Sequence, residues 1–324
     1  MELPLESRLS IGIQTIHRRT EPATEPWRPT IDEMQALVRL VDDCGYDSLW
    51  VGDHIAFAVP ILDPLLQLAQ AAVVSRRLKL GTNVYLLPLR HPVPAAKQVA
   101  TLDHLSEGRL IFGVGVGGEF PKEFEASGVS LNERGARLTA ALPLLRQLWS
   151  GEPVSYDGRL FGAFSGVSMQ PPARQPGGPP IWVGGRADAA LARAGRLADG
   201  WISYVVTPEA YRSSLNKIAA AAAGRKIECF GTGHLLFARL DDTYEKALDA
   251  AATTLSQRYA MDFRRAAERY AALGRPEQVA ARIRAFYDAG VRHLVLDLVG
   301  PYEERPKQIE SFAREVLPLL ADLR

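Results

Sequence analysis

The chain has 324 residues, 38 Lys+Arg against 37 Asp+Glu, and 47% hydrophobic residues. A net charge of +1 supplies no basic face for nucleic acid, and the composition is that of an ordered globular chain. No apolar run of about 18 residues is present for a membrane span, and two cysteines cannot build a disulfide framework.

Residues 1–8 lack a basic stretch followed by an apolar one, so no secretory signal is expected, and Cys44 and Cys229 read as reduced thiols of a cytoplasmic protein. In chain order, short β-prone runs alternate with helical patterns. Residues 9–15 read as a strand. Thr30 caps a helix running to Cys44, with Asp32 and Glu33 in its first turn and Gly45 as its stop. Strands follow at 48–52, 78–85 and 110–115, with helices at 63–76 and 94–105 between and after them. An irregular piece then leads to a helix at 132–149. Residues 150–178 carry turn signals at Gly151, Asp157-Gly158, Gly166 and Pro171-Pro172, which predict an insertion with a small hairpin.

The alternation resumes with strands at 181–184, 200–204, within 229–239 and at 291–298. Helices are expected at 187–197, 208–222, 241–258, 276–289 and 305–323. The strands are near-continuous apolar runs, as parallel strands covered on both faces require. The pattern predicts an α/β fold, a single (β/α)8 TIM barrel over residues 1–324 with loop insertions. A doubly wound sheet is the alternative. It lacks its usual cofactor signature, because no strand runs directly into G-x-G-x-x-G; residues 113–118 read G-x-G-x-G-G.

In a barrel, chemistry collects at the C-terminal ends of the strands. Asp53-His54 follow the second strand. His54 reads either as an acid–base or substrate-holding group, or as a loop histidine bonded to backbone. Thr82-Asn83 and Arg90-His91 follow the third strand. Gly115, Gly117 and Gly118 thin out the side chains after the fourth, leaving room for a flat ring or marking a bend. Glu119 comes next, as a proton donor or a solvated residue. Gly184-Gly185-Arg186 open a helix, either as a phosphate turn or as an ordinary connection. Trp50, Trp182 and Trp201 read as core, and His104 as a packing or capping contact. His17, His234 and His293 share no ligand spacing, and HExxH and CxxC are lacking, so no metal is expected.

Together the segments YDSLWVGDHI (46–55), LKLGTNVYLLPLRHPVPAAKQVATLDHLSEGRLIFGVGVGGEF (78–120), ERGARLTAALPLLRQLW (133–149) and PPIWVGGRADAALARAGRLADGWI (179–202) resemble the bacterial luciferase-like family of flavin- and F420-dependent oxidoreductases. The resemblance covers most of residues 9–204 and is weak beyond them. It implies F420 or FMN across the barrel mouth, with its phosphate at Gly184, Gly185 and Arg186. It also implies a non-prolyl cis peptide around Thr82, Asn83 and Val84 that supports the ring. Asp53 and His54 match an acid–histidine pair beside the deazaflavin in the F420-using branch, with His54 catalytic. Glu119 matches a proton donor of that branch, although its loop differs. Gly115 and Gly117 would lie against the cofactor.

The implied activity is hydride transfer to or from a small organic substrate, in a homodimer. One alternative is an FMN-dependent monooxygenase served by a flavin reductase. Others are a non-catalytic flavin-binding subunit and a metal-independent barrel hydrolase or isomerase. Residues 16–29, 115–132, 150–178 and 259–275 are expected to wall the substrate site.

Overall fold

The computed structural model describes residues 3–15, 29–57 and 60–324. The strands are β1 (Ser10–Thr15), β2 (Ser48–Val51), β3 (Lys79–Thr82), β4 (Leu110–Val114), β5 (Val154–Tyr156), β6 (Phe164–Val167), β7 (Ile181–Gly184), β8 (Gly200–Tyr204), β9 (Gly231–Leu240), β10 (Ala272–Gly274) and β11 (His293–Leu298). The helices are α1 (Ile31–Asp43), α2 (Pro64–Val74), α3 (Pro92–Leu105), α4 (Pro121–Ala126), α5 (Arg134–Trp149), α6 (Asp188–Leu197), α7 (Pro208–Ala221), α8 (Tyr244–Tyr259), α9 (Arg264–Tyr270), α10 (Pro276–Asp288) and α11 (Arg305–Glu315).

Parallel pairing runs β1-β2-β3-β4-β7-β8-β9-β11 and closes from β11 back to β1, which is the expected TIM barrel. Alternation along each strand sorts its side chains. Leu49 and Val51 point outward into the layer beneath the helices, while Ser48 and Trp50 face the barrel interior. The interior is filled by Trp50 and Trp182, with ring centroids 5.6 Å apart, and by His293 edge-on to both at 5.2 and 5.4 Å. Ser48 Oγ accepts from the Trp50 indole and bonds His293 Nε2, each at 2.8 Å. Glycine makes room for the two indoles. A Cβ at Gly81 would stand 2.2 Å from the Trp50 ring, and one at Gly231 would stand 2.3 Å from Trp182.

The expected start signals hold. Thr30 Oγ1 accepts from Glu33 N, and Glu33 reaches back to Thr30 N, a reciprocal cap on α1. The third strand is shorter than residues 78–85: it ends at Thr82, and a cis Asn83–Val84 peptide follows. The final helix stops at Glu315 and gives way to a tight turn of helix around Pro318. Two short helices and a strand were not foreseen. Helices α4 and α9 lie in stretches read as loop, and β10 adds three residues to the outer end of β9. Helices α4 and α9 are too short for a hydrophobic period to show.

Residues 150–178 contain the predicted antiparallel hairpin, β5 with β6. They do not wall the central cavity. Side chains of α3 and α5 hold their carbonyls on the flank: Lys97 to Gln170, His104 to Pro172, Arg137 to Leu160. The loop expectation at 16–29 falls, except for Pro29, outside the described residues, as does His17. Among the described residues, no helix is long and apolar enough to cross a membrane.

Two interior histidines make stability depend on pH. Burial, with help from Lys79, lowers His293 to about 3, and burial with Arg282 lowers His234 to about 3. Unfolded, each ring takes its proton near 6.5. The full stability is therefore present above about pH 6.5 and is lost as pH falls toward 3. The loss is at most ~1.4 kcal/mol per pH unit for each histidine. Urea unfolding between about pH 7.5 and 5 should show this decline, and His293→Gln should make it shallower. An equal slope in the variant would contradict a neutral, buried His293.

Candidate active site

The strand ends ring a cavity of about 590 Å³ at the C-terminal mouth of the barrel. Its lining includes Asp53, His54, Asn83, Val84, Gly115, Gly117, Glu119, Gly184, Gly185 and Arg186. Of the strand-end residues singled out in the sequence, Arg90 and His91 are not in this lining, and neither is Thr82. That side chain is fully buried and donates to the Gly113 carbonyl at 2.7 Å, so it braces β3 against β4 beneath the cavity.

Val84 forms the central step of one wall. A Cβ on Gly115 would lie 2.4 Å from a Val84 methyl, and one on Gly184 would lie 2.8 Å from the other. Only glycine at both positions lets the valine sit between them with its face toward the cavity. Beyond this wall the chain turns at Gly185 (φ +121) and enters α6. The N-cap residue Ala187 contributes no side-chain bond, and its carbonyl accepts the Ala190 amide at 2.8 Å, so the two amides before Ala190 open α6 without a side-chain cap. Arg186 lies over the Tyr204 ring at 4.9 Å and donates to the Val205 carbonyl. A flat ring against Val84, with an anionic tail at the α6 turn, fits these residues.

Titratable groups stand beside this wall and around the mouth. Asp53 is buried and accepts both guanidinium nitrogens of Arg90, together with the Leu86 amide at 2.8 Å. Burial pushes its carboxyl up, while Arg90 and the amide pull it down. This pair fixes the backbone just after Val84, so Asp53 acts on the site from behind the wall as well as lining it. His54 bonds through Nδ1 to Glu123 Oε2 at 2.9 Å and stacks on Phe57 at 3.9 Å. Glu119 is exposed and accepts the Tyr204 hydroxyl at 2.5 Å. Burial and the Glu119 charge hold the Tyr204 phenol well above its ordinary range.

At the far side, Asp297 on β11 lines the cavity and pairs with Arg258 at 2.5 Å in a fully desolvated setting, with Arg305 at 3.7 Å. The sequence reading passed over Glu123, Tyr204, Asp297 and Arg258, and noted Arg90 without assigning it a role. Asp297 had a legible signal: it is a lone carboxylate in the apolar run HLVLDL. Glu123 had a weaker one, since it sits beside the apolar Phe124 between the charged residues Lys122 and Glu125.

Removing one partner of a desolvated pair strands the other charge. Asp297→Ala should lower folding stability by about 3 kcal/mol or more, read from chemical denaturation. A loss below about 1 kcal/mol, the range of exposed pairs, would show that the pair is not desolvated as described.

A family profile described as luciferase-like monooxygenase matches residues 10–293. The F420-dependent glucose-6-phosphate dehydrogenase of Nakamurella multipartita is 28% identical, over 90% of this chain and 93% of its own length. The oxygenase component of flavin-dependent trigonelline monooxygenase from Acinetobacter baylyi is 30% identical, over 53% of this chain and 48% of its own. Among solved structures, the monooxygenase RslO1 from Streptomyces bottropensis aligns with a TM-score of 0.82 and 27% identity, covering 96% of this chain and 99% of that one. The profile match takes in every strand of the closed barrel up to β9, with only the first residue of β11, and all the strand-end groups except Asp297, and the chain belongs to the luciferase-like monooxygenase family.

Proposed function

We propose that the chain is an oxidoreductase that binds F420 across the barrel mouth and acts on a small organic substrate held above it. The carrying observation is the wall in which Val84 sits between Gly115 and Gly184, continuous with the Gly185 turn into α6. Relatives named for F420 and relatives named for flavin are both redox enzymes, so either cofactor leads to an oxidoreductase. The F420-dependent relative aligns over nine-tenths of the chain, which supports F420 first. The likeness to the monooxygenase RslO1 and to the flavin-dependent oxygenase component from Acinetobacter baylyi supports a second reading, in which reduced FMN serves an oxygenation and a flavin reductase is the partner.

When bound, the cofactor supplies the hydride or, as reduced flavin, the electrons for O2. The protein's own residues bind, orient and exclude water. The α6 amides, Gly184, Gly185 and Arg186 hold the phosphate. Asn83, Val84, Gly115 and Gly117 back the ring, and the Asp53–Arg90 pair keeps that wall in place. His54 holds or protonates a substrate oxygen through Nε2, the nitrogen not taken by Glu123. Glu119, steadied by Tyr204, is the second proton-handling group.

The decisive experiment adds F420 and FMN separately to the purified chain and follows cofactor fluorescence. Binding of F420 in the micromolar range or tighter is expected, and failure of both cofactors at high micromolar levels would sink the assignment. His54→Ala should cut turnover by about 100-fold or more while leaving the cofactor Kd within roughly threefold. Unchanged turnover would remove His54 from the chemistry.

Two copies of the chain are proposed to pair through α2. Leu66 and Val73 are each 73% exposed and lie two turns apart on one face of that helix. Light scattering should give a dimer for the unmodified chain and a monomer for the double variant Leu66→Glu, Val73→Glu. A monomeric unmodified chain would discard the pairing.

A further inference from the structure

Both candidate proton-handling side chains stand on irregular backbone. His54 lies just past β2 and Glu119 just past β4. A catalytic group on a loop needs a second contact to fix its aim. Glu123 supplies one. Its side chain is 1% exposed, whereas the adjacent Lys122 and the nearby Glu125 face solvent. All of its hydrogen bonds go to the segment after β2: Oε1 accepts from Ile55 N at 2.6 Å and Ala56 N at 3.2 Å, and Oε2 meets His54 Nδ1 at 2.9 Å.

We propose that Glu123 is a positioning residue that sets the tautomer and aim of His54, a role that rests on His54 acting in the proposed reaction. A carboxylate that accepts two amides on one oxygen has no hydrogen to offer from the other. The Nδ1 atom is therefore the donor. In the neutral ring Nε2 then carries the lone pair, and it is the nitrogen left for the cavity. Phe57, stacked on the ring within 10° of parallel, restrains rotation about its face. When the ring takes a proton at Nε2, Glu123 faces the resulting positive charge, so the same contact serves both states. Glu123 also ties α4 to the β2 end. Because Glu119 leads directly into α4, this one carboxylate sets the spacing between His54 and Glu119.

Replacing the carboxylate by an amide tests this directly. In Glu123→Gln the single oxygen is claimed by the Ile55 and Ala56 amides, and the NH2 group turns toward Nδ1. A donor there demands a lone pair on Nδ1, so the neutral ring should invert to the Nε2–H form. The readout is the ring-nitrogen spectrum of 15N-histidine-labelled protein at a pH where the ring is neutral, with His54 assigned by its loss in His54→Ala. The unmodified chain should show Nδ1–H, and Glu123→Gln should show Nε2–H. The amide variant should lose about 100-fold or more in kcat, with KM and cofactor Kd within roughly threefold.

An Nε2–H tautomer in the unmodified chain overturns the proposal without any variant. A Glu123→Gln protein that keeps both the original tautomer and the original kcat overturns it as well. Glu123→Asp, which keeps the carboxylate but shortens its reach, should retain the Nδ1–H form and recover part of kcat. A drop to the level of Glu123→Gln would reduce Glu123 to a packing role. If His54→Ala leaves turnover intact while the tautomer still inverts, the proposed reaction role of His54 fails and the positioning geometry stands.

Discussion

The rest of the molecule depends on how the barrel interior is filled. Eight parallel strands enclose a space that polar chains cannot occupy without partners, and here two indoles and a neutral imidazole occupy it. The fit is enforced from neighbouring strands, where Gly81, Gly200 and Gly231 leave no room for a Cβ. Polarity in this layer is closed on itself: Ser48 links the Trp50 indole to His293. This packed layer supports the cavity from below. Among the described residues, the ligand-sized space within the barrel therefore lies above it, at the strand ends, and the polar strand-end groups gather there for that reason.

Above that layer, charge is handled in pairs. Asp53 faces Arg90, Asp297 faces Arg258, and Glu123 faces His54. Each pairing lets an ionisable group stand in a poorly solvated wall, where an unpaired one would carry a large desolvation cost. The arrangement also divides labour. Asp53 and Arg90 anchor backbone beside Val84, whereas His54 and Glu119 line the cavity itself. Arg186 stands on the same lining at the turn into α6.

The βα repeat was legible from end to end because buried parallel strands and amphipathic helices write different periods. The strand-end residues were legible too, since polar and glycine positions interrupt apolar runs at 53–54, 115–119 and 184–186. Partnerships were not. Nothing in the spacing of residues 54 and 123, or 258 and 297, announces that folding brings them within 3 Å. Short elements such as α4 and β10 also escaped, because one or two turns contain no period. The likeness to a known family carried the cis peptide, found at Asn83–Val84, which composition and pattern alone could not have placed.

Val84 and its two flanking glycines have a consequence for how this chain can change over time. The three positions come from three different strand ends, yet they share one small volume. Adding a methyl group at 115 or 184 is tolerable only if 84 becomes smaller in the same lineage, and a larger residue at 84 has nowhere to go. Substitutions there must arrive together or in a fixed order. The wall around Val84 should therefore drift slowly, while the exposed positions of the insertion at 150–178 are free to vary, and its buried Val154, Phe161 and Met169 are not.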